Sequence, residues 1–140
     1  MDYMICTYYT GDPDAPVSCW AHFSNNVFAI YNRVQPQGFT WYRHDAEHSL
    51  GASLGGTQGV YEDRLLRDSD DQTIGQQWRH FNPAWLHRRL SAHPEYVMQF
   101  ADRVNKYFSN GGLLSSGPNI ERWMERANQI DLAVIGASAR

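Results

Sequence analysis

Within five consecutive positions, His44-Asp45-Ala46-Glu47-His48, the chain holds two imidazoles and two carboxylates. These groups bind cations and move protons, so the search for chemistry begins here. The segment formally reads H-x-x-E-H, the inverted zinc-peptidase motif. That motif works on a helix, where residues one turn apart share a face and both imidazoles reach one ion. Phe39-Thr40-Trp41-Tyr42 before it reads as strand and Ser49-Leu50-Gly51 after it as turn, so the local sequence opposes a helix and zinc hydrolysis is the weaker reading. On an extended backbone Asp45 and Glu47 point to the same side, and both carboxylates then face one ion.

A second reading uses order along the chain. Phosphoryl transfer of the protein-kinase type needs a carboxylate to orient the attacking hydroxyl and an Asn and an Asp to hold Mg²⁺, which brings in the nucleotide phosphates. In kinases these parts come as Asp, Asn, hairpin, Asp. This chain offers Asp14, then Asn25 and Asn26, then a hairpin, then Asp45. Asp12 and Asp14 stand in Gly11-Asp12-Pro13-Asp14-Ala15-Pro16, a stiff loop, because each proline drives the residue before it into an extended conformation. The bland alternatives are ordinary: Asp is a common turn residue, and an Asn pair is a common hairpin entrance.

The elements that must position these residues follow from punctuation and period. Asp2 to Thr10 carries apolar residues at helical spacing, with Gly11 as its stop. Two apolar runs, Val27 to Tyr31 and Phe39 to Tyr42, flank Gln35-Pro36-Gln37-Gly38 and predict a β-hairpin. Gly51 to Gly59 is a glycine-rich loop without the Lys-Ser/Thr ending of a phosphate-binding P-loop. Tyr61 to Gln77 is polar and acidic around Asp68, Asp70 and Asp71. Asn82-Pro83 is a cap followed by proline at the first helical position, opening a helix through Leu90. His93-Pro94 opens another, with Val97, Phe100, Ala101, Val104 and Phe108 as its stripe and Asn110-Gly111-Gly112 as its stop. A last helix starts near Ser116 and repeats Ile120, Trp123, Met124, Ala127, Ile130 and Val134. These stripes are expected to be core. His22, His80, His87 and His93 are expected at the surface or satisfied by core partners.

Composition narrows the classes. At 140 residues, 42% hydrophobic and 14% aromatic, the chain is expected to form a single domain, residues 1–140, burying roughly two thirds of its unfolded surface. A net charge of −3, with Lys106 the only lysine, argues against nucleic acid as a partner, since phosphate contacts need clustered Lys and Arg. No run reaches the ~18 apolar residues of a membrane span, and Met1-Asp2-Tyr3 is no charged signal-peptide start. Cys6 and Cys19 are too few for a disulfide framework and leave the compartment undecided.

Tyr3 to Gly11 (YMICTYYTG), the following Asp-Pro-Asp, the Asn-Asn hairpin and above all WYRHDAEHSL resemble the CotH kinase family, atypical kinases named after a spore-coat protein. FNPAWLHRRLSAHPEY and FADRVNKYFSNGGLLS resemble the helical segment after the metal motif in large bacterial members. The resemblance implies an α+β, predominantly helical fold, a kinase-like C-lobe whose one β-hairpin carries the metal motif. It implies Mg²⁺ and ATP as cofactors and phosphoryl transfer to a Ser or Thr hydroxyl of a protein substrate, in a bacterial secreted or cell-surface context. Asp14 becomes the catalytic Asp, and Asn26, Asp45 and Glu47 the metal ligands. The choice between Asp12 and Asp14, and between Asn25 and Asn26, stays open on the sequence. Asp12 stands where the family has Asn, and His44 where it has an aromatic residue. Nothing before Asp2 corresponds to the family's N-lobe and its phosphate-contacting lysine, so the expectation is a C-lobe without its N-lobe, which as an isolated chain is inactive or binds ATP weakly. The alternative is a non-catalytic interaction or glycan-binding module on a degenerate kinase-like fold, using the chain's many aromatic residues.

Overall fold

The first helix has no side-chain cap at its N-terminus, so packing must hold it. In the computed structural model, which describes residues 1–20, 24–51 and 81–138, α1 (Asp2–Thr10) buries Met4, Ile5 and Thr7. It stops where expected. Gly11 adopts φ 62°, ψ 31° and its N–H donates to the carbonyls of Thr7 and Tyr8, a left-handed cap that glycine enters without steric cost.

The expected hairpin forms from β1 (Val27–Tyr31) and β2 (Phe39–Arg43), antiparallel in the register Val27 opposite Arg43 to Tyr31 opposite Phe39. Its turn is shaped by Asn32, whose Oδ1 accepts from the N–H groups of Val34 and Gln35 at 2.9 and 3.1 Å, and by Gly38 at φ 82°. Alternation along the strands separates two faces. On one, Phe39 and Trp41 meet Phe81 at ring-centroid distances of 5.8 and 5.6 Å, and Phe81 meets Trp85. On the other, Phe28 stacks on Tyr42 at 5.4 Å, and both rings are exposed.

Helix α2 (Pro83–Leu90) begins as its sequence dictates: Asn82 Oδ1 accepts from the Trp85 N–H at 3.0 Å and proline follows the cap. α1 packs against α2 and against β2. At the first of these contacts the His87 ring meets Tyr8 edge-on at 5.6 Å and shares a 2.8 Å hydrogen bond between its Nδ1 and Tyr96 Oη. Helices α3 (Pro94–Phe108) and α4 (Ser116–Ser138) follow. Among the described residues the fold is therefore α+β with a helical majority, as expected. Backbone packing divides the chain into two compact units, Met1–Val97 and Met98–Arg140.

The apolar stripes of α3 and α4 correct an expectation. They are not core: α3 has no buried residue, and Val97, Phe108, Ile120, Trp123, Met124, Ile130 and Val134 are exposed. Helical period reports that a helix has an apolar face and is silent on what covers it. Burial concentrates instead on Met4, Ile5, Ala15 and Ala84, together with the polar Thr7, Asp12, Ser18 and Asn82. No helix among the described residues is long and apolar enough to cross a membrane. His22, His80, residues 52–59 of the glycine-rich loop and the acidic stretch 61–77 lie outside the described residues.

Two predictions follow from this packing. The turn after α3 places Asn110 and Gly111 at φ 51° and 76° and brings Gly112 so close to the carbonyls of Lys106 and Tyr107 that a methyl group would collide with both. Gly112→Ala is expected to lower stability by about 1–3 kcal/mol, whereas Gly117→Ala, which meets open space, should be neutral or stabilise by up to about 1 kcal/mol; thermal unfolding of both variants checks this. His87 supplies the second. Burial, and then the positive N-terminal amine, push its imidazole below the usual histidine range. The folded chain thus binds fewer protons at this site than the unfolded one, so its contribution is complete above about pH 6.5 and is lost as pH falls through the folded-state value. Between pH 7 and pH 5 the melting temperature should fall less in His87→Gln than in the parent chain.

Candidate functional site

The loop that follows α1 is held by one ion pair. Asp12 is fully buried, and its Oδ2 accepts from Arg43 Nη2 at 2.5 Å, while its Oδ1 accepts from the backbone N–H of Asp14 at 2.9 Å. Arg43 stands at the end of β2 and ties four segments together: Nη1 donates to Thr10 Oγ1 at 2.8 Å and reaches Cys6 Sγ at 3.5 Å, and Nη2 donates also to Ser49 Oγ at 2.8 Å. Thr10 completes its own set by donating to the Cys6 carbonyl at 2.9 Å. Burial alone would pull the guanidinium down; the hydrogen bonds and charges of Asp12 and Cys6 outweigh it, and the net shift is upward. Arg43 Nε is buried without a partner, a cost the other four contacts must offset. Burial also pushes the neighbouring Tyr3 phenol up, so Tyr3 adds no charge to this cluster.

This arrangement separates the two aspartates. Asp12 is committed to Arg43, whereas Asp14 is only partly buried and turns to the asparagine pair. Asp14 Oδ2 accepts from Asn25 Nδ2 at 2.9 Å and from Asn26 Nδ2 at 2.8 Å. Asn26 Nδ2 donates also to the backbone carbonyl of Asp45 at 3.1 Å. Because both partners of Asn26 Nδ2 are acceptors, the amide can face them only with its nitrogen, and its oxygen is left as the atom available to a cation.

The open end of the hairpin accounts for the convergence. Beyond the Val27–Arg43 pair the ladder continues by one bond, from the His44 N–H to the Asn26 carbonyl at 3.0 Å, and then both strands break. Asn26 and Asp45 take left-handed conformations at φ 48° and 49°, which Asn and Asp tolerate better than other residues with a side chain. Asp14, Asn25, Asn26 and the backbone of Asp45 meet there.

Glu47 is placed otherwise. An extended backbone carrying Asp45 and Glu47 to one side is what the sequence suggests; instead β2 ends at Arg43, Asp45 breaks the strand, and a turn closes from the Ser49 N–H to the Ala46 carbonyl at 3.1 Å. The reason is that the loop must bend back so that Ser49 reaches Arg43 and the Leu50 N–H donates to the Thr10 carbonyl at 2.7 Å. The Glu47 carboxylate lies 3.1 Å from His48 Nε2, and His48 packs edge-on against Trp20. The segment from His44 to His48 is not helical, so its two imidazoles are not presented by one helix face. Among the described residues no group of three His, Cys, Asp or Glu side chains could hold a metal ion. The donors left at this end of the hairpin are the exposed Asp45 carboxylate and the Asn26 amide oxygen, both oxygens of the kind Mg²⁺ takes together with water and phosphate.

The Arg43 hub is the feature that sequence reading misses. Its one signal is Asp12, a second carboxylate in the proline-bounded loop, which gains a reason once an arginine is seen beside it. Compared with protein-family models, curated proteins and solved structures, the chain matches none.

Asp12→Asn keeps the acceptor for the Asp14 N–H and removes the charge, leaving the mostly buried guanidinium without its partner. Urea denaturation is expected to show a loss of about 3 kcal/mol, while Glu47→Gln, at an exposed carboxylate, should stay within about 0.5 kcal/mol of the parent.

Proposed function

We propose that the open end of the hairpin is one wall of a Mg²⁺-nucleotide site, the catalytic portion of a CotH-like atypical kinase that transfers a phosphoryl group from ATP to a Ser or Thr hydroxyl. The observation that carries this reading is the joint hold of Asn25 and Asn26 on Asp14 Oδ2, with Asn26 reaching on to Asp45. Residues far apart in sequence are thereby gathered in the set and order that phosphoryl transfer uses.

In this reading each residue has a part. The two amides fix the Asp14 carboxylate by one oxygen and leave the other to accept a hydrogen bond from the substrate hydroxyl, orienting it for attack. Asn26, through its amide oxygen, and Asp45, through its carboxylate, would hold the metal. Bound Mg²⁺ supplies charge neutralisation across the transferring phosphate. Glu47, engaged by His48, is the weakest member of the expected ligand set. Arg43 and Asp12 position the site and touch no substrate.

A second reading, a non-catalytic interaction or glycan-binding module, is favoured by the exposed Phe28–Tyr42 stack, since flat aromatic surface is common at binding faces.

Calorimetric titration with Mg²⁺·ATP tests the first reading. Asn26→Gly retains the left-handed backbone and removes the amide; Asp45→Asn retains the conformation and removes the charge. Each is expected to weaken Mg²⁺-dependent binding by about tenfold or more. Binding that is equal in parent and variants, or absent even when the chain is joined to an N-lobe, rejects the kinase reading.

A further inference from the structure

An apolar surface not used by this site runs along α4. Ile120, Trp123, Ala127, Ile130 and Val134 recur at intervals of three and four residues by turns, the a and d positions of a heptad seam, and Met124 adds an apolar e position beside it. Ile120, Trp123, Ile130 and Val134 are 61%, 67%, 59% and 55% exposed.

The charges beside the seam say which helix. With Ile120 at a, the g positions are Asn119, Arg126 and Ala133, and the e positions are Met124 and Asp131. In a parallel pair each g residue lies beside the following e residue of its partner, so Arg126 of one copy meets Asp131 of the other, twice by two-fold symmetry. In an antiparallel pair e faces e and g faces g, and Arg126 never meets Asp131. Arg126 now donates to Gln129 Oε1 at 2.6 Å on the exposed side of its own helix, a contact easily exchanged. A lipid surface is the poorer occupant: α4 sets Arg122 and Arg126 against Glu121, Glu125 and Asp131, without the basic polar face that anionic headgroups attract.

We propose that α4 is a homodimerisation helix, pairing in parallel with α4 of a second copy of this chain through the seam from Ile120 to Val134, with Arg126 and Asp131 setting orientation and register. The interface is independent of the nucleotide site and stands or falls separately from it.

Sedimentation equilibrium of the full chain over a range of concentrations tests the proposal. The parent chain is expected to associate to a dimer. Arg126→Asp or Asp131→Arg alone replaces attraction with repulsion at both symmetric pairs and should weaken the dimer by roughly tenfold; the double swap should restore it. Ile130→Asp, which puts a charge in the seam of each copy, should leave monomer. All of these positions are exposed, and circular dichroism of each variant confirms that the helices are retained. A parent chain that stays monomeric at every concentration, a trimer, or a dimer indifferent to the single swaps overturns the proposal.

Discussion

The first unit depends on the ion pair between Asp12 and Arg43. A carboxylate with no solvent contact is tolerable only when paired, and Arg43 supplies the pair from the far side of the chain, at the end of the hairpin. Having reached Asp12, the guanidinium has donors left over, and Cys6, Thr10 and Ser49 take them. One side chain thus fixes the end of α1, the proline-bounded loop, the last residue of β2 and the turn after it. Among the described residues of this unit few large apolar groups are buried, so polar contacts carry a share of positioning that packing carries in an ordinary core. Such a pair specifies geometry more than it adds stability.

The candidate site inherits its geometry from that hub. Asp12 caps the Asp14 backbone while it holds Arg43, so the same residue that secures the hairpin also aims the neighbouring carboxylate. The hairpin then ends in two left-handed residues, Asn26 and Asp45, and the amide of Asn26 spans from Asp14 to the carbonyl of Asp45. Preorganisation of this sort is what positioning catalysis requires, since a carboxylate held in place by its own fold need not be ordered by the substrate.

Much of this was legible in the residues. Gly11, Gly38, Asn82-Pro83, His93-Pro94 and Asn110-Gly111 mark element ends by their backbone preferences, which act locally and survive any tertiary context. The hairpin was legible because two alternating runs flank a turn. The Asp12–Arg43 pair was not, because the two residues are linked only through the fold, and a lone arginine at a strand end carries no period or spacing. The extended backbone expected from Asp45 to Glu47 gives way to a bend for the same reason: Ser49 and Leu50 reach back to Arg43 and Thr10. The apolar face of α4 reads as core in the sequence and is exposed in the fold, because period reports a face and not its cover.

We propose one cation site at the open end of the hairpin, held by Asn26 and Asp45 with Asp14 and Asn25 beside it. Paramagnetic broadening of backbone amide signals by substoichiometric Mn²⁺, a stand-in for Mg²⁺, measured by NMR in the presence of ATP, tests it most directly. The account predicts that broadening begins at residues 14, 25, 26 and 45 and is absent from the distant carboxylates Asp102 and Glu121. Broadening spread over the exposed acidic residues at large, with no preference for those four positions, would contradict it.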